Sequence, residues 1–150
     1  MTAGVKTAGC VLCDTPGGRL VHEAPDYRVI HADEAGFPAF YRVVWRAHVP
    51  EFTDLSPVER ARCMDAVAVV EQCLRARLSP DKVNLAALGN AVPHLHWHVI
   101  ARFASDSHFP GAVWAGAVRE RVASHEQAIA GKLPAIEHDI VQQLLALRSH

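Results

Sequence analysis

Three histidines at alternate positions and two cysteines three positions apart mark where this 150-residue sequence could do chemistry. His94, His96 and His98 lie in NLAALGNAVPHLHWHVIARF (84–103), separated by Leu95 and Trp97. In a β-strand successive side chains point to opposite faces, so the imidazoles would share one face, spaced by about 6.6 Å, and Leu95, Trp97 and Val99 the other. The apolar trio is then the core face. In a helix the same residues would scatter around the cylinder and the spacing would carry no meaning.

A line of imidazoles supports two kinds of chemistry. Histidines at i and i+2 on a strand can chelate a metal. Alternatively, a neutral imidazole can attack phosphorus while its neighbours donate hydrogen bonds to the phosphate oxygens. A hydrolytic metal site normally has a carboxylate base nearby, and no Asp or Glu lies between Asp81 and Asp106. That absence favours the nucleophile. The Gly89-Asn90 turn just upstream offers backbone amides as an anion-binding nest.

Cys10-Val11-Leu12-Cys13 has the spacing of half a zinc site, and two further ligands would have to come from elsewhere. Cys63 and Cys73 fall inside a helical pattern and read as small buried hydrophobes.

The elements that must position these groups are legible in part. DYRVIH (26–31) and AFYRVVWR (39–46) carry the β-branched and aromatic residues of strands. Ser56-Pro57-Val58-Glu59 is an N-cap, a first-turn proline and a capping-box glutamate. Ala61, Met64, Val67, Val70, Leu74 and Leu78 follow at helical steps, and Ser79-Pro80 ends the helix. KVNLAAL (82–88) and LHWHVIARF (95–103) read as two more strands. The last forty residues read as two helices, one over about 113–130 ending near Gly131 and one starting by Pro134. The expected class is α+β, an antiparallel sheet of about five strands packed by a long helix.

Half the residues are hydrophobic and the net charge is −1, so neither a nucleic-acid backbone nor a membrane surface is an expected partner. The N-terminal MTAGVKTAGCVLC lacks the apolar core of a signal peptide, which makes the expected location cytoplasmic.

PHLHWHVI resembles the signature of the histidine-triad (HIT) family, in which three histidines alternate with apolar residues, and the wording of 84–103 is similar to a bacterial branch of HIT-like hydrolases. The resemblance covers about 10–103, within a single domain spanning 1–150 whose helical extension begins near 111. It implies a nucleotide hydrolase or nucleotidyl transferase acting at the α-phosphate of a nucleoside phosphate or dinucleoside polyphosphate. His96 would be the nucleophile and form a nucleotidyl-histidine, and His98 would hold phosphate oxygens. Asn84 matches a position near the phosphate, and Asp33 one that binds the ribose hydroxyls. HIT members with an N-terminal C-x-x-C complete a structural zinc site with positions that here are His48 and His94, while the chemistry itself needs no cofactor. A homodimer is also implied. Two positions depart from the pattern. Phe40 stands where many members carry a fourth histidine, and Ala91 where many carry a hydroxyl. These departures keep a non-catalytic nucleotide-binding protein in view, beside a metal-dependent hydrolase that uses the triad as ligands.

Overall fold

The computed structural model describes residues 6–147. His150 and the first five residues of the segment read for a leader lie outside that range. A short helix α1 (Val11–Asp14) leads into strands β1 (Arg19–Glu23), β2 (Tyr27–His31) and β3 (Phe40–Trp45). Then follow helix α2 (Pro57–Leu78), strands β4 (Lys82–Ala86) and β5 (His96–Arg102), and helix α3 (Ala123–Leu147). The five strands form one antiparallel sheet in the order β1-β2-β3-β5-β4. The expected α+β class is what the chain adopts.

Helix α2 starts where the sequence says it should. The Ser56 Oγ accepts from the Glu59 amide at 3.2 Å, and the Glu59 carboxylate accepts from the Ser56 amide at 2.8 Å. Two of the helix's orphan donors are thereby satisfied. Its inward stripe is Cys63, Ala66, Val67, Val70, Cys73 and Leu74, all buried. Ala61, expected on that stripe, is exposed. Both cysteines pack as small apolar groups, and burial raises the Cys63 thiol to about 12.

The C-terminal reading needs correction. Residues 113–122 are irregular, and a single helix runs through Pro134. Proline removes one i→i−4 bond and normally breaks a helix. Here Ile129, Leu133, Ile136, Ile140 and Leu144 bury one stripe on both sides of it, and that burial outweighs the lost bond. Side-chain bonds tie α3 down: Arg19 forks onto Glu137 at 2.6 and 2.8 Å, the Tyr41 hydroxyl donates to Glu137 at 2.7 Å, and Arg77 reaches Asp139 at 2.8 Å.

The two helices cover one face of the sheet. Val29, Tyr41, Val43, Trp45, Val99 and Ala101 point into that core. The opposite face carries Phe40, Arg42 and Val44 from β3 alongside Ile100, His98 and His96, their register partners on β5. Two smaller apolar clusters sit on this second face. Leu12 of α1 packs on Ile30 and Val44, while Val113 packs on the Phe37, Phe40 and Ile100 group. The irregular segment 104–122 crosses here. No helix among the described residues is long and apolar enough to cross a membrane.

Candidate active site and metal centre

Leu95 and Val99 are buried in the core and Trp97 packs against it, as alternation requires. His96 and His98 project together from the other face, with ring centroids 4.9 Å apart. His94 differs. It lies just before β5, where the chain turns in from the Gly89 bend, and its side chain is fully buried.

The His94 ring is fixed at both ends. Its Nε2 lies 2.6 Å from the Trp45 carbonyl, which can only accept, so that nitrogen carries the proton. The Nδ1 lone pair then faces Cys13 Sγ at 3.4 Å and Cys10 Sγ at 3.6 Å. His48 Nδ1 lies 3.5 Å from the Cys13 sulfur. The four ligand atoms all fall within 4.8 Å of one another. Two cysteines and two histidines brought this close together could hold a metal ion. The cluster joins α1, the turn after β3 and the approach to β5. His48 and His94 stand in this cluster at the positions the family resemblance implied.

The backbone carbonyl of the same residue serves His96. His96 Nδ1 donates to the His94 carbonyl at 2.6 Å, so its Nε2 is the unprotonated nitrogen. Burial, assisted by the Arg42 charge, lowers the His96 pKa below the ordinary value and keeps the ring neutral at pH 7. Beside it, a cavity of about 180 Å³ is bordered by Phe52, Leu88, Gly89, His96 and Trp97. Gly89 has φ +70°, a conformation that favours glycine at the bend. Asn90 is exposed on the same turn.

His98 is 6% exposed. Phe40 stands edge-on to it at 5.5 Å and Trp114 at 5.1 Å. Arg42 Nε donates to His98 Nδ1 at 3.3 Å, which puts the His98 proton on Nε2. Burial, then the neighbouring His96 and Arg42 charges, push its pKa down to about 4.

Asn84 is on the triad's face but is engaged: its amide oxygen accepts from Arg102 at 2.8 Å. Asp33 is exposed in the loop after β2. Among the described residues no hydrogen bond joins Asn84, Asp33 or Asn90 to a triad side chain.

Three features escaped the sequence. Arg42 carried no assigned role, although a charged residue two positions from Phe40 must share its face. Trp114 is 53% exposed yet stands edge-on to His98. Arg102 was read as plain strand. Its guanidinium is 2% exposed, lies over Phe37 and Phe109, and bonds Asp106 at 2.8 and 3.1 Å and the Gly111 carbonyl at 2.8 Å. It latches the segment that brings Trp114 to the triad. His108 belongs to this latch, against Phe37 and Ser107, and not to the triad.

The HIT domain model matches residues 17–105. A histidine triad protein of Bradyrhizobium japonicum is 30% identical, with TM-score 0.66 over 83% of this chain and 92% of its own. One from Marinobacter aquaeolei is 25% identical, with TM-score 0.69 over 86% and 92%. At 20% identity, a zinc-bound histidine triad family protein of Mycobacterium smegmatis shares the fold, with TM-score 0.57 over 85% and 96%. No curated protein matches the sequence. Since the family model covers more than half of the chain and the solved relatives share its sheet and helices, the chain belongs to the HIT family.

Proposed function

We propose that the protein is a nucleotide hydrolase or nucleotidyl transferase acting at the α-phosphate through a nucleotidyl-histidine on His96. The observation that carries this reading is the 2.6 Å bond from His96 Nδ1 to the His94 carbonyl, which leaves the Nε2 lone pair as nucleophile. Attack forms an N–P bond and breaks the bond from phosphorus to the leaving group, which departs with the electron pair. Water then attacks phosphorus, releasing the nucleoside monophosphate and free His96. His98, protonated on Nε2, donates to a phosphate oxygen. The Gly89-Asn90 amides supply further donors. Arg102 holds Asn84 by its oxygen, which turns the amide NH₂ toward the phosphate. Asp33 takes the ribose hydroxyls.

Cys10, Cys13, His48 and His94 hold a structural zinc in this reading. The donor set supports it, as does the zinc-bound relative with the same fold. Zinc there supplies cross-linking between chain segments and no step of the reaction. With the His94 ring turned to the thiols, the triad does not converge as a chelate, which argues against a metal-dependent hydrolase built on it. A homodimer fits the open edge of β4, where Leu85 on the strand and Leu88 just beyond it are exposed.

The buried Phe40 ring beside His98 favours a second reading, a nucleotide-binding protein without turnover. Intact-mass spectrometry after incubation with a panel of nucleoside polyphosphates separates the two. A nucleotidyl adduct that is absent from His96→Ala supports catalysis. Binding with neither adduct nor turnover overturns it.

A further inference from the structure

The polar group missing at position 40 reappears one step along the same face. Arg42 is the direct register partner of His98 across β3 and β5. A guanidinium has no acceptor and keeps its proton at neutral pH, so its 3.3 Å bond to His98 runs one way. The rest of the group is loosely held. One Nη lies 3.5 Å from the Gly17 carbonyl, and the other 3.6 Å from Glu34, whose side chain is half exposed. Its carbon sits 5.3 Å over the Phe40 ring. The outcome is a partly buried cation with long contacts, fixed against the residue that faces the phosphate.

We propose that Arg42 sets the substrate class: holding His98 as an Nε2–H donor with a fixed positive charge beside it, Arg42 makes the site selective for phosphoric anhydrides over phosphoramidates. This rests on reading His96 as the nucleophile. With an anhydride, His96 Nε2 forms the N–P bond as a P–O bond breaks, and the electron pair leaves on a phosphate oxygen. That leaving group is a stable anion at neutral pH and needs no proton, while the adjacent cation stabilises its developing charge. With a phosphoramidate, a P–N bond breaks and the departing nitrogen must receive a proton to leave as an amine. Arg42 does not release one. His98, buried and facing that cation, is neutral at neutral pH: it keeps its single Nε2 proton and carries no second one to release.

The test compares kcat/KM of the full chain for diadenosine triphosphate and for adenosine 5′-phosphoramidate. The wild type should favour the anhydride by about 100-fold, the scale of one well-placed oxyanion donor. Arg42→Gln should shrink that ratio at least tenfold, and Arg42→Lys, which keeps the charge, should restore part of it. Histidine ¹⁵N spectra should show His98 protonated on Nε2 in the wild type and a tautomer mixture in Arg42→Gln. Thermal melts of both variants check folding. A wild type that prefers the phosphoramidate, or an Arg42→Gln ratio equal to wild type, overturns the selectivity while leaving His96 as nucleophile. Turnover of neither substrate, with no adduct on His96, overturns both readings together.

Discussion

His94 and His96 are joined through the backbone of one and the ring of the other: the His94 carbonyl accepts from His96 Nδ1 at 2.6 Å. The His94 ring, meanwhile, spans the Trp45 carbonyl and the Cys10 and Cys13 sulfurs. One residue therefore links the cysteine cluster to the tautomer of its neighbour. The alternation that suggested three equivalent imidazoles conceals this division, because His94 lies just outside β5.

Removal of the His96 ring should end chemistry without ending the fold. The side chain is only half-buried and lies on the sheet face away from the helices. His96→Ala is expected to lower kcat by at least about 10³-fold, as loss of a nucleophile does, with a melting temperature near wild type. Steady-state kinetics and a thermal melt on the same preparation check this. Turnover close to wild type would dismiss His96 as nucleophile.

The cysteine cluster predicts a metal content and a stability change. Protein purified without chelators should carry about one zinc per chain. Cys13→Ala should bring this below about a tenth of an equivalent and lower the melting temperature by roughly 10 °C, because metal affinity at a structural site is folding free energy. Elemental analysis and calorimetry measure the two effects. A wild type without zinc would remove the site.

The Arg102–Asp106 pair should be among the more costly ones to break. Both side chains are almost fully buried, and Asp106 also accepts from the His108 and Phe109 amides at 3.0 and 2.7 Å. These bonds hold the carboxyl below its ordinary range against the effect of burial. Arg102→Met leaves a buried carboxylate without its partner, a loss of about 3–5 kcal/mol. Chemical denaturation should show that loss. It should also release the segment carrying Trp114, so that Trp114 becomes more accessible to a fluorescence quencher than in wild type. A change under 1 kcal/mol would deny the latch.

Where sequence and structure diverge, competing physics accounts for it. Helix α2 was legible down to its capping box because Ser56, Pro57 and Glu59 act locally. Strand β1 was not, since Arg19–Glu23 is mostly exposed and a register shift between Leu20 and His22 breaks its alternation. Pro134 signalled a break that tertiary burial overrides. At the site, His94, His96 and His98 were visible because strand alternation is a short-range rule. Arg42 and Arg102 take their roles from residues on other strands and loops, and no spacing along the chain announces such partners.

Acid should weaken the fold in a window to which His98 contributes, beside His94 and His96, whose pKa values burial also lowers. Its ring faces His96 on its own strand, Arg42 and Phe40 on β3, and Trp114 from the crossing segment. With a folded pKa of about 4 against 6.5 unfolded, the unfolded chain binds more protons between those values, so stability rises with pH there. The contribution is fully present above about 6.5 and is lost as pH falls toward 4, to an extent on the order of 3 kcal/mol. Asp106 and Glu137, both held below their ordinary values of 3.8 and 4.5, lose their contributions only at lower pH. Denaturation midpoints at pH 7.5, 6 and 5 should therefore decline steadily in wild type and less steeply in His98→Asn. Equal slopes in the two proteins would mean that the ring of His98 is not what titrates.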